Sequence, residues 1–332
     1  VRRRMDTLNC CVVGYGGIAA FHVEALKRIE GVRLHTLVGR RLEPTEAFGR
    51  ERGFARTTTR YEEALADSEV DAVVITAPSE LHHEMASGAL GAGKDALVEI
   101  PLAMSRRGAE ELAGLARRTG RKLMVAHTRR FAPTGRFVRE FLASGRAGRV
   151  HQHHSYSFWL RHENVGWTGY RRSWVDDVLF HHACHHVDFA LWATGAPVRR
   201  VRGEISPLDP RTGTSLDVSL LMRHADECIT TISLSYNARQ GMSGDTFICE
   251  EGTLTLSGGR VTFGGEVVFA PDNNFQEGML AQDREFVDAI REGRQPSCSA
   301  EDGLKALTAL QEVYDQMVAL EGEDRYRRRW GM

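Results

Sequence analysis

Apolar residues fall into two rhythms along this chain, and one gives way to the other just after Phe131. Before that point, short apolar runs at Leu8–Val13, Val32–Val38, Asp71–Thr76, Asp95–Val98 and Lys122–Ala126 have the length and continuity of buried strands. Between them, Gly17–Ile29, Glu43–Arg52, Glu80–Ala92 and Arg106–Arg118 carry apolar residues at helical spacing. Alternation of this kind predicts a parallel sheet with helices on both faces, an α/β domain over residues 1–127.

After Phe131 one helix, Pro133–Ala143, leads into stretches that alternate with a period of two: His151–Trp159, Val198–Ile205, Ser215–Met222, Glu227–Tyr236, Asp245–Glu250 and Gly252–Leu256. Glycine turns at 257–259 and 264–265 separate several of them. The expectation is an open, mainly antiparallel sheet, interrupted by a helix over Asp177–Trp192 and closed by helices Met279–Glu292 and Ala300–Leu320. Residues 128–332 then form a second, α+β domain for substrate binding and oligomerisation.

Composition narrows the partners. With 332 residues the chain has room for two cores, and 43 basic against 44 acidic residues leave a formal charge of −1. That balance gives no electrostatic case for nucleic acid or an anionic membrane, so a small molecule is the expected partner. No apolar run reaches the roughly 18 residues of a membrane span. Six scattered cysteines without a CxxC pair read as reduced thiols of a cytoplasmic protein. The basic start, Val1 to Met5, has no apolar segment behind it and does not read as a signal peptide; either residue is a candidate start.

The clearest chemical motif closes the first strand. Gly14-Tyr-Gly16-Gly17-Ile18-Ala19 is a GxGxxA turn opening a helix. Its first glycine permits the tight turn, the second lets the backbone approach a pyrophosphate, and Ala19 allows close helix–strand packing. This predicts a dinucleotide-binding Rossmann domain. At the end of the second strand, where an NAD site usually has an acid for the ribose hydroxyl, the chain reads Gly39-Arg40-Arg41, with no acid before Glu43. A guanidinium suits a 2′-phosphate, so NADP is the expected cofactor, with NAD the alternative.

A second cluster is the run His181, His182, His185, His186 and Asp188. On one helix, His181, His185 and Asp188 share a face at i, i+4 and i+7, and His182 and His186 repeat the spacing beside them. Such a face suits acid/base chemistry near neutrality or, with Cys184, a metal; the spacing leaves both open. His151, His153 and His154 read as sheet-surface residues, and Tyr156, Phe158, Trp159 and Trp167 as pocket or packing aromatics.

Taken together, GYGGIA, Thr76-Ala77-Pro78-Ser79 with His82, Glu99-Ile100-Pro101-Leu102 and the helix ending His185-His-Val-Asp188 resemble the Gfo/Idh/MocA oxidoreductase superfamily over nearly the whole chain. The resemblance implies a substrate held between the two domains and adds Thr76, Ala77, Pro78, His82, Glu99, Ile100 and Pro101 to the cofactor site. Two features depart from the common pattern: Ile100 replaces a lysine that assists proton transfer, and His181 replaces an aspartate. With VEIPLAMS, His127-Thr-Arg129-Arg130-Phe131, Arg172-Ser-Trp174, Asp176 and Gln282–Phe286, they resemble the subgroup of 4-carboxy-2-hydroxymuconate-6-semialdehyde dehydrogenases.

That subgroup implies NADP-linked oxidation of a cyclic hemiacetal bearing two carboxylates. Arg129, Arg130 and Arg172 are the expected cations for them, with His127 and Asp176 alongside. In the absence of the lysine, His185 is the expected base, oriented by Asp188 and helped by His181 or His182; hydride transfer asks for no metal. A sugar or other cyclic alcohol is the alternative substrate, and a nucleotide-sensing binding protein the alternative outside enzymes. Exposure of one face of the open sheet predicts a homodimer or homotetramer.

Overall fold

A computed structural model describes residues 7–163 and 177–326. Arg172 and Asp176, both expected at the substrate, lie outside the described residues, as do Trp167, Trp174, Val1 and Met5.

The chain forms two compact units, one running up to Thr128 and regaining Gln276–Leu304, the other made of Arg129–Phe275 and the chain from Lys305 onward. A boundary beside residue 128 matches the change of rhythm. The return of 276–304 to the first unit corrects the simple division into 1–127 and 128–332. An amphipathic helix shows in sequence that it covers a core, but not whose.

In the first unit the strands are β1 (Leu8–Val13), β2 (Val32–Val38), β3 (Arg56–Thr58), β4 (Ala72–Ile75), β5 (Asp95–Val98) and β6 (Leu123–Val125). They pair in parallel in the order β3-β2-β1-β4-β5-β6, the Rossmann arrangement. Helices α1 (Gly17–Lys27), α2 (Leu42–Arg52), α3 (Tyr61–Ala66), α4 (His82–Gly91) and α5 (Arg106–Thr119) connect them. Every residue of β4 and β5 is buried, because a parallel sheet covered on both faces has no wet side. The short pair β3 and α3 was not foreseen, since three strand residues and six helical ones are too few to display a period.

The second unit contains α6 (Pro133–Ala143), β7 (Val150–Leu160), α7 (Ala183–Thr194), β8 (Val198–Ile205), β9 (Asp217–His224), β10 (Ile229–Ser235), β11 (Asn237–Cys249), β12 (Gly252–Ser257), β13 (Arg260–Phe263) and β14 (Glu266–Phe269). Helices α8 (Asn274–Glu292) and α9 (Ala300–Glu321) follow. The sheet order is β14-β13-β12-β11-β7-β10-β9-β8, antiparallel except for the parallel pair β7 and β10. Its inner face carries Phe247, Leu254 and Val261, packed with Val138 and Phe141 of α6 and Phe189 and Ala193 of α7.

The histidine segment is not one uniform helix. Val178–His182 forms a π-helical turn and α7 begins only at Ala183. Asp177 caps the turn, its Oδ1 accepting the Phe180 N–H at 2.7 Å. The wider turn changes the angular step between residues, so a face drawn with a uniform 3.6-residue period does not carry through His181 and His182.

Candidate active site

The dinucleotide motif sits where its chemistry requires. Gly14 has φ +110° and donates its N–H to Val38 O at 2.8 Å; a Cβ there would lie 2.5 Å from Thr76 Oγ1. Gly39 is held against Tyr15, whose ring would be 2.6 Å from an added Cβ. The first helical bond of α1 runs from Ala20 N to Gly16 O, so the N–H groups of Gly17, Ile18 and Ala19 precede it, and no side chain caps them. Nothing lies within 4 Å of the space a Cβ on Gly16 would fill. An open cradle of uncapped N–H groups fits a pyrophosphate. Arg40 and Arg41 are exposed at the start of α2, and Arg40 makes no hydrogen bond or ion pair among the described residues.

The neighbouring loops are built by buried polar groups. Thr76 Oγ1 donates to Val13 O at 2.7 Å and leaves Thr76, Ala77 and Pro78 half-buried at the end of β4. His82, expected to face the cofactor, is 1 % exposed, and its ring nitrogens meet the carbonyls of Pro101 at 2.7 Å and Ala77 at 2.8 Å. It ties two loops together and so acts on the site through them. Ile100 is buried, and its aliphatic side chain cannot transfer a proton; the Ile100–Pro101 bond is cis.

Glu99 belongs to a network the sequence did not reveal. Its Oε1 lies 3.0 Å from Nε2 of fully buried His22, whose Nδ1 sits 2.9 Å from both oxygens of Asp283. Burial alone would lower the His22 pKa, but the two carboxylates outweigh it and push the value up to about 10. His22 is therefore a cation pinned between two acids. His127 is buried at the end of the first unit.

In the second unit a cavity of about 330 Å³ opens beside α7, walled in part by Arg129, Trp159, His182, His185, His186 and Asp245. Of the histidines expected at the reaction, His185 is half-buried on this wall, whereas His181 is not part of it. His182 stacks on Trp159 with centroids 4.4 Å apart, and burial holds its pKa well below the ordinary imidazole range. Burial, reinforced by the Arg129 charge, does the same to His186. Both rings are neutral at pH 7.

Two expected roles are corrected here. Asp188 was to orient His185, but its oxygens accept from Arg130 Nε at 2.7 Å and Nη2 at 2.5 Å. Arg130 is 6 % exposed, gives its Nε and Nη2 to Asp188, and is not among the residues walling the cavity. Arg129 does reach the cavity. It lies over the Phe189 ring at 4.2 Å and is paired with Asp245 through Nη2.

Asp245, Ser155, His153 and His186 were missed as a unit. Asp245 Oδ1 accepts from Ser155 Oγ at 2.6 Å and lies 3.0 Å from His153 Nε2, while Ser155 Oγ lies 2.7 Å from His186 Nδ1. Burial would raise the Asp245 carboxyl, but the Arg129 charge and the His153 hydrogen bond hold it below the usual carboxylate range. His153 is thus a fully buried partner and not a sheet-surface residue. Alternation along β7 puts His153, Ser155, Ser157 and Trp159 on one face, a signal present in the sequence but not used. Among the described residues no group of three His, Cys, Asp or Glu side chains converges on a metal position. All six cysteines are free and buried.

Comparison with known proteins adds an independent line. Residues 8–127 match the model of an oxidoreductase family with an NAD-binding Rossmann fold, and residues 133–265 match that of the C-terminal region of bacterial oxidoreductases. The chain is 33 % identical over 316 residues to 4-carboxy-2-hydroxymuconate-6-semialdehyde dehydrogenase of Sphingobium sp. (strain NBRC 103272 / SYK-6), covering 93 % of this chain and 99 % of that one. Among solved structures, GenD2 from gentamicin A biosynthesis in complex with NAD superposes with a TM-score of 0.82 at 25 % identity, over 97 % of this chain and 96 % of that one. An oxidoreductase domain protein from Kribbella flavida gives a TM-score of 0.85 at 22 % identity, over 96 % and 98 %.

Proposed function

The chain belongs to the Gfo/Idh/MocA oxidoreductase family, and from that premise we propose that it oxidises the cyclic hemiacetal of 4-carboxy-2-hydroxymuconate-6-semialdehyde, or a close analogue, to 2-pyrone-4,6-dicarboxylate. As a family member it is an NAD(P)-dependent oxidoreductase acting on CH–OH groups. NADP, when bound, supplies the nicotinamide that accepts hydride.

The residues divide the remaining work. Gly14, Gly16 and the first turn of α1 hold the pyrophosphate, and Arg40 binds the 2′-phosphate. His185 takes the hydroxyl proton, work worth about 10²–10⁴-fold in rate for a positioned base. Arg129, on the same cavity wall, orients an anionic oxygen of the substrate. The observation that carries this reading is the half-buried position of His185 on the cavity beside Arg129, in a chain whose family lysine is Ile100. Exposed Leu160, Leu221, Met242 and Ile248 on the outer face of the second sheet support assembly as a homodimer or homotetramer.

One observation favours a second reading. Arg129, the arginine on the cavity wall, is paired with Asp245 and so meets the substrate already neutralised, while Arg130 is occupied by Asp188. That suits an uncharged cyclic alcohol better than a dicarboxylate. Assaying NADPH formation with the semialdehyde and with cyclic polyols decides between them. Turnover of the semialdehyde at a kcat/KM at least tenfold above every polyol is expected; the reverse order establishes the second reading.

A further inference from the structure

Trp159 stands out on the cavity wall for what it lacks. It is 37 % exposed, and His182 covers one of its faces, with centroids 4.4 Å apart and planes 15° apart. Tyr236, on the neighbouring strand position, lies nearly parallel to it at 6.3 Å and 13°, and His182 also stacks on it at 5.6 Å and 17°. Beyond these contacts the indole has no hydrogen bond and no other ring neighbour among the described residues. A tryptophan that is packed for stability usually finds a partner for its N–H. Here the rings behind Trp159 fix its plane while more than a third of the residue stays exposed on the cavity wall.

We propose that Trp159 is a specificity-determining residue of the cavity, on which a flat, conjugated ring of the substrate stacks while the indole N–H donates to an oxygen that ring carries. The inference rests on the cavity's being the substrate site and deepens that reading. Three nearly parallel rings set a flat end to the stack, and a planar ring continues it at full contact. A puckered polyol ring meets the same surface only through its axial hydrogens. His182 is neutral, so the stack behind the indole carries no charge and favours π-stacking over attraction of a cation. The same geometry discriminates between a pyrone-like ring and an inositol-like one without requiring a free cation.

Binding to the full-length protein in dead-end complexes, the flat ligands with NADP and myo-inositol with NADPH, tests this without turnover. Titration calorimetry would use 2-pyrone-4,6-dicarboxylate, benzene-1,3-dicarboxylate and myo-inositol as probes against wild type, Trp159→Leu and Trp159→Phe. Loss of the stacking surface in Trp159→Leu is expected to weaken both flat ligands about five- to tenfold and to leave inositol unchanged. Trp159→Phe keeps a ring and recovers part of the loss, which also controls for misfolding. If benzene-1,3-dicarboxylate binds in a Trp159-dependent way while the pyrone does not bind, the inference stands and the proposed substrate falls. Equal affinity of the flat ligands for wild type and Trp159→Leu, or a loss confined to inositol, overturns the inference.

Discussion

Arg130 grips both oxygens of Asp188, through Nε at 2.7 Å and Nη2 at 2.5 Å, in a pair whose side chains are 7 % and 1 % exposed. The two residues were expected to serve the substrate and the base, and they instead tie the turn after Thr128 to α7 within the second unit. Removing one partner leaves a buried charge without compensation, which costs about 3–5 kcal/mol. Arg130→Ala is therefore expected to lower stability to denaturant by about that amount. The double variant Arg130→Met, Asp188→Leu should recover most of it. Single variants as stable as wild type would mean that the pair is solvated.

Arg40 is the cofactor prediction. Exposed, and without a hydrogen bond or ion pair among the described residues, it is the proposed partner of the 2′-phosphate of NADP. Arg40→Ala is expected to raise KM for NADP about tenfold, the loss of one charged hydrogen bond of about 1.5 kcal/mol. KM for NAD should hardly change. Equal effects on the two cofactors would remove the assignment.

His22 predicts a pH dependence of stability. Its pKa rises from an ordinary 6.5 to about 10 in the folded chain, because Asp283 and Glu99 overcome the effect of burial. Between those values the folded state binds a proton that the unfolded state does not, so stability falls as pH rises. The contribution is complete below 6.5 and is lost through about 10. Denaturant unfolding between pH 7 and 8, below the ordinary thiol value of about 8.5, keeps this effect apart from that of the buried cysteines. His22→Gln should flatten the slope there; an unchanged slope would show that His22 is neutral.

What was legible in the sequence was local. The GxGxxA turn and the buried runs of β1, β2, β4 and β5 announce themselves over a few residues, because strand and helix periods are short-range properties. The site network was not legible in this way. Arg130 and Asp188 are 58 positions apart, His153 and Asp245 92, and Arg129 and Asp245 116. Which carboxylate meets which arginine depends on sheet order, and no local pattern specifies that β11 lies beside β7. The π-helical turn at Val178–His182 was missed for a related reason, since its extra width follows from packing and not from the spacing of histidines.

On the proposed function, an imidazole of α7, that of His185, carries the proton transfer in a chain that has Ile100 in place of the lysine of the family's common pattern. The direct measurement is steady-state NADPH formation from the best hydroxy substrate by wild type and His185→Gln, with NADP affinity measured separately. A kcat lowered about 10²–10⁴-fold is expected, with NADP affinity within about twofold of wild type. A His185→Gln enzyme that turns over at the wild-type rate would contradict it.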